Sequence, residues 1–170
     1  TKRLSVYQKE MQKKAKLDEQ LEIARNIQEN LIPRNGIDID KLCIDGYYKA
    51  ASEVGGDYYD FIKIDKNRYG LIISDVAGKG VPASLMMTMI RAVFRSLINS
   101  GAEDPSKVVN LINKTIVSDM SSDRFATVMF GIYNLESKLL RYTNAGYGPL
   151  MIYKGDKKNC SLIESEKGSI

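Results

Sequence analysis

Residues 55–80 read GGDYYDFIKIDKNRYGLIISDVAGKG, and this stretch decides the fold. Polar and apolar side chains alternate over residues 57–64, and an apolar run follows over residues 69–76, so both segments are predicted to be β-strands. A short polar turn joins them into an antiparallel hairpin. The start of one strand in such a pair lies beside the end of the other, so we expect Asp57 and Asp75 to lie close together.

The two acidic residues have the features of a divalent-cation site. Two carboxylates at one end of a hairpin repel each other unless a cation lies between them. Asp75 follows an apolar run, so we expect its backbone to be buried, and a buried, unpaired carboxylate is costly. Glycines near both acids allow backbone and water to approach closely. The same residues are also typical of turn caps, and spacing alone leaves the two interpretations equally open.

The composition excludes several kinds of chemistry. The chain has 170 residues and no histidine, which excludes Ser-His-Asp and Cys-His nucleophile systems and histidine-rich metal sites. A metal would be held by oxygen ligands, which favours Mg²⁺ or Mn²⁺. The net charge of +4 is spread along the chain, so nucleic-acid binding is not expected. Cys43 and Cys160 lie far apart in sequence and are predicted to be reduced thiols.

The N-terminal segment, residues 1–31, contains neither glycine nor proline and is predicted to be a helix. Its apolar residues recur at spacings of three and four; they are Leu17, Leu21, Ala24, Ile27 and Leu31. Pro33 ends the helix because it disfavours helical geometry in the residue before it. Two interpretations stay open: a helix packed on its own domain, and a parallel dimeric linker that carries a signal from an upstream sensor.

Further elements surround the hairpin. A helix is predicted from Val81 to about Asn99, with Pro82 in its first turn, and a second helix from its cap at Asp104 to about Met120. Additional strands are predicted at residues 42–50, 125–133, 139–144 and 150–153. This order is typical of an α+β fold, with helices over antiparallel sheet. Apolar runs such as residues 69–74 are too short to span a membrane, so we expect a cytoplasmic protein, or the cytoplasmic end of a larger one, without membrane insertion.

Five segments, in order, resemble the SpoIIE/RsbU branch of the PPM (PP2C-like) serine/threonine phosphatases. They are ARNIQENLIP at 24–33, EVGGDYYDF at 53–61, ISDVAGKGVPA at 73–83, Phe125-Ala126-Thr127 with Gly131, and Tyr142-Thr143-Asn144-Ala145-Gly146 with Pro149. The resemblance runs from about residue 20 to 154. It implies an α/β/β/α sandwich of PP2C type at residues 34–170, preceded by a linker helix at residues 1–33.

The resemblance also implies a site and a reaction. Two Mn²⁺ or Mg²⁺ ions would lie between the two sheets, with Asp57 bridging both. Asp75 would bind one ion through its side chain, and Val76 would bind through its backbone carbonyl. Asp60 is a further candidate, either as a ligand through water or as a residue behind the ligands. A water activated by both ions would attack the phosphorus of phosphoserine or phosphothreonine in line.

The chain departs from the family pattern in ways that bear on activity. A later Asp-Gly motif, which supplies further metal carboxylates in the family, is missing before Ile170, and Asp119, Asp123 and Asp156 lie in unsuitable contexts to replace it. We therefore expect a C-terminally truncated, incomplete sandwich whose open sheet edge favours homodimerisation or strand exchange. A polar pair usual in the family is replaced here by Tyr147-Gly148.

The resemblance implies partners, and two rival functions stay open. The implied substrate is a phosphorylated anti-anti-sigma protein of the STAS type, and an upstream sensor or receiver domain is implied as the input. One rival is a non-catalytic signalling or dimerisation module with an incomplete metal site. The other is a GGDEF-type nucleotide cyclase, suggested by Gly55-Gly56-Asp57 and disfavoured because Tyr58 stands where a second acid is required.

Overall fold

A long helix, four central strands and two packed helices make up most of the chain in the computed structural model, which describes residues 2–39, 42–50, 52–118 and 124–163. In chain order the elements are α1 Lys2–Leu31, β1 Ile37–Ile39, β2 Leu42–Ile44, β3 Tyr58–Lys63, β4 Arg68–Val76, α2 Val81–Asn99, α3 Pro105–Ile116, β5 Ala126–Asn134, β6 Leu139–Ala145, β7 Leu150–Lys154 and β8 Asn159–Ile163.

The central sheet has the order β3-β4-β5-β6, and every neighbouring pair is antiparallel. Side chains alternate between its faces, so Ile72 and Val76 of β4 share one face with Val128 and Phe130 of β5. This face packs against α2 and α3, with the rings of Phe94 and Phe130 meeting edge to face at 5.1 Å. The α+β prediction, with helices over antiparallel sheet, is confirmed.

Helix α2 has an apolar face that lies against the sheet; its buried residues are Ala83, Met86, Met87, Ile90, Phe94 and Ile98. By length and composition alone, its 19 residues are also apolar enough to cross a membrane. The prediction about membrane spans considered uninterrupted apolar runs only, and polar residues within this helix hide its length from such a search. Packing against the sheet accounts for the apolar residues observed.

Helix α3 begins as predicted. The side chain of Asp104 accepts hydrogen bonds from the backbone N–H groups of Ser106 and Lys107, at 2.9 and 3.2 Å, which satisfies two donors at the start of the helix. Pro105 occupies the first turn, where its missing N–H removes no helical hydrogen bond. The helix ends at Ile116, and the predicted end at Met120 lies outside the described residues.

Helix α1 packs on its own domain only near its C-terminal end, and the dimeric linker stays a prediction. Residues 4–20 are exposed, whereas the last turns pack against the rest of the chain and lead into the buried Ile32. The predicted apolar face is partly wrong, because Ile27 is 58% exposed and Gln28 is only 5% exposed. Gln28 faces inward because its amide finds backbone partners there, as described below.

The remaining strands are short. The strand predicted at residues 42–50 is limited to β2, which pairs with the unpredicted β1, and residues 45–50 are irregular. Strand β7 pairs with the unpredicted β8 in a separate hairpin. The missed strands carry little signal because β8 is exposed throughout and β1 has only three residues. Cys43 and Cys160 are exposed free thiols, as predicted.

Candidate metal centre

Asp57 and Asp75 come together where β3 begins and β4 ends. Tyr58, the first residue of β3, pairs with Ser74, so the next residues outward, Asp57 and Asp75, stand opposite each other. Their carboxyl groups are close enough to share a hydrogen bond. Asp75 is exposed, on the sheet face that points away from α2 and α3, so the argument from a buried, unpaired Asp75 carboxylate does not hold. Repulsion between the two carboxylates still makes the pair unfavourable.

The charges of the pair act on each other. The pKa of Asp57 is raised above its ordinary value. The first cause is that nearby atoms displace water from its carboxyl group, although the residue as a whole is exposed. The further causes are the negative charge of Asp75 and a hydrogen bond with it. Both effects disfavour two ionised carboxylates side by side. A cation between them would reverse this repulsion, so the electrostatics fit a metal site.

The loop before Asp57 lies tightly against the end of β4. Gly56 is buried, and a Cβ atom at this position would stand only 2.7 Å from the backbone oxygen of Val76. The backbone N–H of Val76 donates to the Gly56 carbonyl at 3.4 Å. The third predicted ligand, the Val76 carbonyl, therefore lies in the same loop contact as Asp57, and any side chain at Gly56 would push it away.

Gln28 of α1 holds the other side of this loop, and sequence reasoning missed it. Its side-chain N–H donates to the Gly55 carbonyl at 2.7 Å, and its side-chain oxygen accepts from the Gly55 N–H at 2.9 Å. The Tyr48 hydroxyl donates to the same oxygen at 3.3 Å. The sequence signals were its place between apolar residues of the predicted helix and within the ARNIQENLIP segment.

Asp60 does not lie with the candidate metal ligands. It is 1% exposed and lies on the helix-facing side of β3, because residues 57 and 60 point to opposite faces of a strand. Arg95 of α2 donates to both of its oxygens, at 2.7 and 3.0 Å. The hydroxyl of Tyr58 and the backbone N–H of Phe61 add bonds of 2.7 and 2.9 Å. Asp60 thus holds α2 against the sheet.

Tyr147 is a second residue near the acids whose role was missed, although Tyr147-Gly148 was noted as unusual. Asn144 fixes this turn: its amide accepts from the Tyr147 N–H at 2.8 Å and donates to the Tyr147 and Gly148 carbonyls at 3.1 Å. Burial first, and then the charges of Asp57 and Asp75, raise the pKa of Tyr147. Its hydroxyl therefore lies within the electrostatic field of the pair.

The donor set fits a hard divalent cation. Two carboxylates and one backbone carbonyl are oxygen donors, and Mg²⁺ commonly keeps several waters besides a few protein ligands. Within the described parts of the chain, no group of three or more acidic, histidine or cysteine side chains comes together. Asp156 is exposed in the turn between β7 and β8, and Asp119 and Asp123 lie outside the described residues. The metal roles of Asp57, Asp75 and Val76 remain predictions.

The comparisons with known proteins agree with the resemblance carried by the sequence motifs. The family model described as Stage II sporulation protein E (SpoIIE) matches residues 65–169. The phosphoserine phosphatase RsbU of Bacillus subtilis is 33% identical over 151 residues, which cover 89% of this chain and 44% of RsbU. The chain therefore spans less than half of the length of that relative.

Solved structures resemble the fold. The SiaA-PP2C domain of Pseudomonas aeruginosa superposes with a TM-score of 0.71 at 20% identity, over 92% of this chain and 62% of that one. A crystal structure of RsbX in complex with magnesium gives a TM-score of 0.61 at 16% identity, over 79% of this chain and 64% of that one. These likenesses support the PP2C-type fold implied by the sequence motifs.

Proposed function

The chain belongs to the SpoIIE family of PP2C-like phosphatase domains, and on that basis we propose that it carries the catalytic site of a metal-dependent protein serine/threonine phosphatase. The relative RsbU is named a phosphoserine phosphatase. The single observation that carries the proposal is the meeting of Asp57 and Asp75 at one end of the β3–β4 hairpin.

In this proposal Asp57 and Asp75 hold Mn²⁺ or Mg²⁺, and the Val76 carbonyl adds a third oxygen. When bound, two such ions would supply a water of lowered pKa as nucleophile and would neutralise charge on the phosphoryl oxygens. The chain's own contribution is to place the acids. Gln28 holds the Gly55 backbone and Gly56 packs on Val76, so the position of Asp57 is fixed before substrate binds.

The proposed substrate is a phosphorylated regulatory protein of the STAS, anti-anti-sigma type, and the proposed setting is the cytoplasm. We further propose a homodimer that forms through the exposed part of α1, because residues 4–20 include exposed apolar side chains such as Leu4, Met11 and Leu17. An upstream sensor or receiver domain would then act through this helix.

The experiment measures Mn²⁺-dependent hydrolysis of p-nitrophenyl phosphate and of a phosphorylated STAS protein. Asp57→Asn and Asp75→Asn should each lower kcat/KM at least 100-fold, since a lost metal ligand removes most of the charge stabilisation (about 3 kcal/mol or more). Asp156→Asn, an exposed acid in a turn, is the matched control and should retain wild-type activity. Equal activity of all three variants would refute the proposed site.

The second candidate, a non-catalytic signalling or dimerisation module, is favoured by one observation: the described residues gather only two carboxylates at the site. It predicts that the protein folds and associates through α1 but hydrolyses neither substrate at any Mn²⁺ concentration. Hydrolysis that depends on Asp57 and Asp75 excludes it.

A further inference from the structure

A cleft of about 380 Å³ lies between the last turns of α1, the irregular segment 46–50 and Tyr59 of β3. We call it the α1 cleft. Its walls are Arg25, Glu29 and Arg34 on one side and Tyr47, Tyr48 and Lys49 on the other.

The floor of the α1 cleft is built by close packing. A Cβ atom on Gly46 would lie 2.3 Å from the Tyr59 ring, so only glycine lets the segment lie on that ring. The Tyr59 hydroxyl donates to the Pro33 carbonyl at 3.0 Å, which joins the floor to the end of α1. The cleft therefore keeps its shape without a ligand.

The walls of the α1 cleft carry more positive than negative charge. Arg25 pairs with Glu29, the one acid of the lining, at 3.1 Å. Arg34 donates at 2.6 Å to the neutral amide of Asn30, and neither Arg34 nor Lys49 has an acidic partner among residues 2–39, 42–50, 52–118 and 124–163. Two uncompensated cations thus face the cleft, beside Tyr47, which is 85% exposed.

The inner end of the α1 cleft approaches the aspartate pair. The Tyr48 hydroxyl donates a hydrogen bond to the side-chain oxygen of Gln28. The same hydroxyl lies 2.9 Å from the position that a Cβ atom would take on Gly55, which is two residues before Asp57. The pKa of Tyr48 is raised by burial and then by the negative charges of Asp57 and Glu29. Tyr48 is therefore the point at which the cleft and the metal centre adjoin.

We propose that the α1 cleft binds an acidic segment that flanks the phosphoserine or phosphothreonine of the protein substrate. This rests on the proposed phosphatase function. When the phosphate lies at the site of Asp57 and Asp75, the flanking segment of the substrate would run past Tyr48 in an extended conformation. A few residues, at roughly 3.3 Å each, would then cover the cleft. Its carboxylates would meet Arg34 and Lys49, and its apolar atoms would contact Tyr47. Nucleic acid fits less well, because Glu29 lies within the lining and the chain carries no massed positive charge.

The test compares two phosphoserine peptides of equal length, one flanked by glutamates and one by lysines, with p-nitrophenyl phosphate as a substrate too small to reach the cleft. The variant is R34E/K49E, and the matched control is K107E, an exposed charge reversal on α3. We expect R34E/K49E to raise KM for the glutamate peptide about tenfold or more, with kcat and p-nitrophenyl phosphate hydrolysis unchanged. K107E should behave as wild type.

Binding of the fluorescent glutamate peptide, followed by anisotropy at low and high salt, separates the two proposals. Hydrolysis with no preference for the glutamate peptide, or with equal losses in R34E/K49E and K107E, would overturn the cleft proposal and leave the phosphatase proposal standing. Absence of hydrolysis of every substrate, with charge-dependent peptide binding still lost in R34E/K49E, would overturn the phosphatase proposal and support the cleft as a binding site.

Discussion

The side-chain amide of Gln28 hydrogen bonds to both backbone groups of Gly55, with distances of 2.7 and 2.9 Å, and so joins α1 to the loop that leads to Asp57. The two residues are 27 positions apart, and Gln28 is almost fully buried. A single side chain therefore connects the long exposed helix to the backbone of the candidate metal centre.

Replacing Gln28 with leucine removes both bonds and leaves Gly55 polar groups without protein partners. We expect a loss of about 1–3 kcal/mol in the free energy of unfolding and weaker Mn²⁺ binding, measured by chemical denaturation and isothermal titration calorimetry. Ile27→Ala is the control, because Ile27 is exposed and adjacent on the same helix. Equal stability and equal Mn²⁺ affinity in the two variants would contradict this role.

Metal binding should change the stability of the protein in a way that depends on Asp57. The pKa of Asp57 is raised in the folded state, so protonation of its carboxyl group stabilises the folded protein. This contribution to the free energy of unfolding is complete below the ordinary carboxyl pKa of about 4 and is lost as the pH rises through the raised pKa. At neutral pH without metal, the pair with Asp75 is therefore unfavourable.

We expect Mn²⁺ to raise the Tm of the wild type at pH 7, since it relieves this repulsion. Asp57→Asn should have a higher Tm than wild type without metal and a smaller shift with metal. Thermal melts between pH 4 and 8, with and without Mn²⁺, provide the measurement. The same Mn²⁺ shift in wild type and variant would show that Asp57 is not a ligand.

The partly buried ion pair between Arg95 and Asp60 is expected to hold α2 on the sheet. Arg95→Met leaves the Asp60 carboxylate buried and without its cation. We expect the free energy of unfolding to fall by about 3 kcal/mol. This value is at the low end of the range for such changes because the Arg95 side chain is 40% exposed.

Arg25→Met provides the comparison, since it breaks an exposed pair with Glu29 that should be worth less than about 0.5 kcal/mol. The double variant D60N/R95M should lose less free energy of unfolding than D60N and R95M lose in sum, because the two residues contact each other. Urea denaturation of the four variants tests this, and additive losses would exclude a direct coupling.

Ser74 offers a stabilising substitution. Its hydroxyl is buried beside Asp75 and has no hydrogen-bond partner among the described residues. Ser74→Ala should raise the free energy of unfolding by about 1 kcal/mol, whereas Ser100→Ala, which removes an exposed hydroxyl bonded to the Leu97 carbonyl, should have little effect. A Ser74→Ala protein less stable than wild type would show that the hydroxyl is satisfied.

Local patterns predicted the elements that position the site. Alternation over residues 57–64 and the rules of antiparallel pairing predicted the hairpin and the meeting of Asp57 with Asp75. The Asp104 cap predicted the start of α3. These features are decided by residues close together in sequence, so they could be inferred without coordinates.

Tertiary partners could not be predicted in this way. The motif that contains Asp57 makes Asp60 a candidate ligand by resemblance, whereas its role is decided by Arg95, 35 positions away. Gln28 bonds a backbone 27 positions away, and a polar residue on an exposed helix gives no local sign of such a partner. The same holds for Tyr147, whose position depends on how β6 lies in the sheet.

The turn between β3 and β4 is far from the aspartates, yet its length governs whether they meet. Lys63 pairs with Tyr69 near the turn and Tyr58 with Ser74 at the other end. A one-residue slip along this ladder would turn one carboxylate toward the helices and leave the other in solvent. Lineages and engineered variants should therefore tolerate insertions between β7 and β8 far more readily than a single added residue in the loop from Ile64 to Asn67.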